Sequence, residues 1–240
     1  MAQHISRKEL KKDEIRETLA HGAEAVISHQ KAATIIIGAA VLVVAAIFGW
    51  RFYSERQTLK ATAAFDQAMK IYDARIRTPG ERAEPKEVTY VEEKNKYQDA
   101  AKKFANVAAQ YPHTRPGQQA RYYAALSQIH LNQFDEAQKN LKEAESSGGE
   151  EFASLARLQL ASIYERTGKP DEAAKIYRQL ADKPTALVPK PTALLALADV
   201  LRKSNPQEAA SVYEQIKKDF PDTPVAEEAQ KQLDTLVPKT

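Results

Sequence analysis

Between Lys31 and Arg51 the chain reads AATIIIGAAVLVVAAIFGW, nineteen residues without a charge. Apolar residues of an amphipathic helix recur every three or four positions and leave one face polar. Here Ile35, Ile36, Ile37, Val41, Leu42, Val43, Val44, Ile47 and Phe48 cover every face, and Thr34 is the one polar side chain. A helix of this length rises roughly 28 Å, close to the ~30 Å of bilayer hydrocarbon. Trp50 and Tyr53 come next, side chains suited to a membrane–water interface. The pattern predicts a transmembrane helix over residues 32–50. A buried core helix would need an apolar shell that the rest of the chain does not supply. A cleaved signal peptide has a shorter apolar run and a small-residue cleavage site. This run is preceded by 31 residues and succeeded by Arg51, Phe52 and Tyr53, so it reads as an uncleaved anchor.

Beyond the anchor the hydrophobic pattern changes period. No proline occurs before Pro79, which predicts that the helix leaving the membrane continues over residues 51–77. The stretch 78–90, TPGERAEPKEVTY, carries two prolines and a glycine and reads as a loop. From residue 91 to 240 the chain repeats itself. The segments YQDAAKKF, FDEAQKNL, PDEAAKIY and PQEAASVY place Ala100, Ala137, Ala173 and Ala209 at near-constant spacing. Four residues after each alanine stands Phe104, Leu141, Tyr177 or Tyr213, and Pro112, Pro184 and Pro221 close three of the units. Each alanine is preceded by another helix-forming segment. The unit is helix, turn, helix. A small residue lets paired helices approach, a large one fills the gap to the next pair, and proline ends the unit. Gly168 and Asn205 are placed where a turn needs positive φ. One hairpin cannot bury its apolar face, so such units stack into a solenoid.

The fold class is therefore all-α, a single N-terminal transmembrane helix followed by a helical-hairpin solenoid. The Ala, aromatic and Pro positions resemble the tetratricopeptide repeat, over about residues 91–236, with YERTGKPDEAAKIY as the best unit. Gln128 stands where an aromatic is usual. The layout of leader, span and repeats, with YPHTRPGQQARYYAAL and DFPDTPVAEEAQKQL, is similar to the YfgM-type ancillary subunits of the SecYEG translocon. That resemblance implies a place beside a SecYEG-type translocon, a membrane-anchored periplasmic chaperone as a partner, and secreted polypeptides as clients. The phrase Tyr/Phe-Pro-x-Thr also resembles outer-membrane assembly lipoproteins and periplasmic cell-division coordinators.

Charge adds the orientation. Arg7, Lys8, Lys11, Lys12, Arg16 and Lys31 precede the span, and Arg51, Arg56 and Lys60 lie beyond it. The side richer in Lys and Arg stays cytoplasmic. This predicts a single-pass protein of the bacterial inner membrane, its N-terminus in the cytoplasm and its repeat domain in the periplasm. The leader, residues 1–31, reads as an amphipathic helix opened by Ser6 and Glu9 in a capping-box pattern. It either docks on a membrane surface or partner, or only sets topology. The net charge of +3 gives no footprint for nucleic acid. With no cysteine there is neither a disulfide nor a lipid attachment site.

Chemistry is sparse. His4, His21, His29, His113 and His130 are scattered without metal-ligand spacing, and His130 reads as a structural histidine. TGKP at 167–170 lacks the upstream glycine of a phosphate loop. No catalytic residue, cofactor or metal is expected. Binding is the better reading. If Ala125, Ala161 and Ala198 are packing positions, the concave face carries Gln119, Tyr122, Leu126, Leu155, Leu158, Ser162, Thr192, Leu195 and Asp199. That face suits a polypeptide, though a phase shift of one residue turns several of them into core. Arg121, Arg157 and Arg202 lie nearby without forming a set that grips a terminal carboxylate. Two other roles fit the same features, an accessory subunit of another inner-membrane complex and an envelope-assembly scaffold.

Overall fold

The computed structural model describes residues 30–82, 84–85 and 87–236, with side chains from residue 34. The predicted leader helix, with Ser6 and Glu9, lies outside the described residues. Among those residues the chain forms nine helices and one small pair of strands. It divides into two compact units at residue 56.

The first unit is the apolar part of α1, a continuous helix from Gln30 to Tyr72. No break separates the anchor from the helical turns beyond it, because no Pro or Gly interrupts residues 50–72. The side chains from Ile35 to Trp50 are exposed on all faces. A soluble helix of this composition would be covered; α1 is long and apolar enough to cross a membrane, and none of the described residues covers its apolar part.

The second unit starts at Gln57. Its first helix is the C-terminal part of α1, where Ala61 and Ala68 are fully buried. Phe65, Met69 and Tyr72 pack with them on the next helices. The helix ends at Tyr72 rather than at 77. Arg75–Ile76 (β1) then pairs in parallel with Thr89–Tyr90 (β2), so the expected loop is folded around a short bridge. Arg75 ties it together, donating to Glu81 at 2.6 Å and to Glu87 at 3.4 Å.

Seven helices complete the solenoid: α2 (Glu93–Gln110), α3 (Arg115–His130), α4 (Phe134–Ser147), α5 (Gly149–Arg166), α6 (Pro170–Asp182), α7 (Lys190–Ser204) and α8 (Pro206–Asp219). A last helix, α9 (Pro224–Leu236), packs on α8. Each helix packs chiefly on its sequence neighbours, as stacked hairpins must. The four repeat alanines fall on α2, α4, α6 and α8, and all are fully buried. Phe104, Leu141 and Tyr213 behind them are also fully buried, and Tyr177 nearly so. Burial of one such side chain stabilises by about 1.5–3 kcal/mol.

The caps are set by sequence. In both copies of Tyr/Phe-Pro-x-Thr the threonine is a helix N-cap or its equivalent. Thr114 Oγ1 accepts from Gly117 N at 3.2 Å and donates to the Tyr111 carbonyl at 2.9 Å. Thr223 repeats this with Ala226 N at 3.2 Å and the Phe220 carbonyl at 2.8 Å. The turns correct one expectation. Gly168 has φ +76 as expected, but Asn205 sits at φ −144 and caps α8, accepting from Glu208 N. The positive φ belongs instead to Asn132, at +58, in the turn between α3 and α4. The α7–α8 turn is one residue long, too short to need a left-handed position.

Candidate protein-binding surface

The first helices of the hairpins, α3, α5 and α7, carry the nine residues expected on the concave face. Ala125, Ala161 and Ala198 are fully buried, which fixes the phase of those helices. Thr192 and Asp199 are exposed, and Gln119 and Ser162 are half-buried. Leu126 and Leu155 are half-buried and lean on the core between α3 and α5. Leu158 and Leu195 lean likewise on the C-terminal core. Tyr122 is a correction: it is only 7% exposed. Its ring lies edge-on to Tyr123 and Phe152, with centroids at 5.6 and 6.1 Å. Its hydroxyl meets Gln159 of α5, and burial pushes its pKa up. A large ring at that position fills the space between successive first helices, so it is core and not groove lining.

The basic residues near this face are engaged within the fold. Arg121 pairs with Glu143 at 3.1 Å and Arg157 with Glu145 at 3.0 Å. Arg202 donates to Gln232 of α9 at 2.5 Å. None of the three is directed at a ligand carboxylate. Gln128, in the place usual for an aromatic, accepts from Asn140 of α4 at 2.8 Å and so joins two helices by a hydrogen bond instead.

A cavity of about 510 Å³ opens beside Asp199. Glu165 lines it from the end of α5, Gly168 from the turn, Pro170 from the start of α6, Asp199 and Arg202 from α7, and Gln232 from α9. Its two carboxylates are held by core tyrosines. Tyr213 donates to Asp199 at 2.5 Å, and Tyr177 donates to Glu165. Burial, then the bond to the carboxylate, holds both phenols well above their ordinary range. Each tyrosine therefore stays a donor to its carboxylate. The cavity presents acceptors, one tethered guanidinium and the exposed Lys203. Such a lining can hydrogen-bond polar groups. Of this set, sequence reasoning places Asp199 on the binding face and Arg202 near it. The available signal is the change from Phe104 and Leu141 to Tyr177 and Tyr213 at the repeat position.

His130 stacks on the Tyr97 ring at 3.9 Å, nearly parallel, and Lys96 sits 4.7 Å from the same ring. Burial, with Lys96 and Arg166 nearby, holds its pKa below the ordinary value, against the pull of Glu93. Among the described residues no three of His, Cys, Asp and Glu are grouped to hold a metal ion.

The comparison with known families agrees with this geometry. A tetratricopeptide repeat-like domain matches residues 29–186, from the first turn of α1 to beyond α6. A tetratricopeptide repeat matches residues 158–224. No curated protein matches the chain. Tetratricopeptide domains mediate protein–protein interaction and are generally non-catalytic scaffolds, which gives the chain an adaptor role. With well over half its length matched, from the apolar helix through three hairpins, the chain belongs to the tetratricopeptide repeat-like domain family.

Proposed function

We propose that the protein is a membrane-anchored adaptor that captures polypeptide segments on the first-helix face of its solenoid, in a periplasmic space beside a secretion translocon. The observation that carries the reading is the continuity of α1. The helix that is apolar enough to cross a bilayer also supplies the first helix of the repeat unit. Anchoring raises the local concentration of a binding module at the membrane, which strengthens capture without any new contact. Clients would be secreted polypeptides, and the partners a SecYEG-type translocon and a periplasmic chaperone, as the resemblance implies. Thr192, Leu195, Asp199, Leu155, Leu158, Ser162, Leu126 and Gln119 would contact the client, with the Asp199 cavity taking polar groups.

Photo-crosslinking tests this in membranes. A crosslinker at Thr192 or Asp199 is expected to trap polypeptide, and one at the exposed Ser211 of α8 is not. Equal trapping at both places would sink the surface assignment. Purification in mild detergent is expected to recover SecY-type subunits. Recovery of one unrelated complex instead would favour an accessory subunit of that complex.

A further inference from the structure

The exit of α1 from its apolar segment carries a feature that neither the anchor nor the solenoid requires. Trp50, Phe52 and Tyr53 are 58–73% exposed. The Arg56 guanidinium carbon lies 4.3 Å from the centroid of the Phe52 ring. Four residues of helix span about 6 Å, so the Arg56 side chain folds back a full turn toward the apolar end. Side chains on a helix lean toward its N-terminus, which makes this reach natural. Phe52 stands two residues beyond Trp50, about 3 Å along the axis. The interfacial layer outside the hydrocarbon is roughly 5–8 Å deep on each side. With Trp50 at the edge of the hydrocarbon, the charge of Arg56 falls within the interfacial layer that holds the lipid phosphates. The guanidinium sits within cation–π distance of the ring, and a guanidinium carries five N–H donors, which can grip phosphate oxygens. Glu55 is the only acid between Arg51 and Arg56. No carboxylate among the described residues pairs with either arginine.

We propose that Arg56, held on the Phe52 ring, binds the phosphate of an anionic phospholipid at the leaflet where α1 leaves the bilayer. The assignment rests on α1 spanning the membrane. Arg51, also at this level, adds charge toward a separate lipid, since five residues turn it about 140° from Arg56. The aromatic platform fixes the depth of the helix, and the phosphate contact fixes its lipid neighbour.

Native mass spectrometry of the full chain in mild detergent, titrated with phosphatidylglycerol or with phosphatidylcholine of matched acyl chains, tests it. Phosphatidylglycerol is expected to be retained about fivefold more tightly, and R56Q to lose most of that preference, the remainder coming from Arg51. F52A keeps every charge, and is expected to weaken retention about two- to fivefold by removing the platform. Excess inorganic phosphate is expected to leave the lipid bound. R56Q retaining phosphatidylglycerol like the wild type would overturn the assignment, as would displacement by free phosphate or equal retention of the two lipids. Alkaline carbonate extraction of wild-type membranes separates this from the anchor. A chain that stays in the pellet while R56Q keeps its lipid sinks the phosphate contact alone, whereas release of the wild type sinks the span.

Discussion

Gly117 shows how closely two backbones meet at a cap. A Cβ there would lie 1.9 Å from the Tyr111 carbonyl oxygen, a distance no side chain tolerates. G117A is expected to destabilise by about 1–3 kcal/mol, read as a lower thermal midpoint of the full chain by circular dichroism. Gly168 is demanding in another way. At φ +76 an alanine is strained by about 1–2 kcal/mol, and G168A should lower the midpoint without a clash. The tyrosines supply a pH response. Burial pushes Tyr72 up to about 12, and burial with the Asp99 hydrogen bond does the same for Tyr90. In the unfolded chain both titrate near the ordinary 10.0. The folded state therefore keeps its protons longer. The stability these phenols contribute is full below pH 10 and falls as pH rises from there toward 12. A denaturant midpoint that stayed flat across that window would contradict the assignment.

The hairpin is the element on which most of the fold depends, and its small-then-large pair can be tested directly. Enlarging Ala173 to Leu at a fully buried helix crossing is expected to cost about 1–3 kcal/mol, measured by urea unfolding. Leucine at the exposed Ser211 should be near neutral. The same pair makes the fold readable: alanine and a large residue four apart, recurring along the chain, specify both helix and stacking partner. Other features carry no such signal. The first helix of the first hairpin is hidden because Ala61, Ala64, Phe65, Ala68 and Tyr72 continue the anchor helix with no cap between them. The β1–β2 bridge is two residues long, below any periodic pattern. Tyr122 escapes a sequence reading because large residues on a first helix serve groove and core at angles only a residue apart. Asn205 and Asn132 are hard to tell apart because turn length, not residue type, decides which asparagine becomes left-handed. The Glu165–Asp199 cavity joins residues from α5, α6, α7 and α9, and no single stretch announces it.

At the scale of the molecule, an exposed end of the stack has to be closed. The outward residues Glu227, Lys231 and Asp234 of α9 are exposed while Ala226 and Ala229 are buried, the polar cover a terminal repeat needs. Truncation after Asp222 is expected to expose the apolar surface around Tyr213 and Ile216 and to make the chain aggregate, visible by light scattering. Orientation can be tested separately. Cysteines at Ser6 and Ser54 in intact spheroplasts should react with a membrane-impermeant maleimide only at position 54, and labelling at 6 alone would invert the topology. The shared helix α1 also governs what a protease can release. A cut in the segment 78–90 would strand Phe65, Ala68 and Tyr72 on the piece that carries the apolar helix. The freed piece would carry a bare wall of Phe104, Tyr97 and Tyr123, which those residues cover in the intact chain. Only cleavage ahead of Gln57 would shed a domain that keeps Phe65, Ala68 and Tyr72 over that wall.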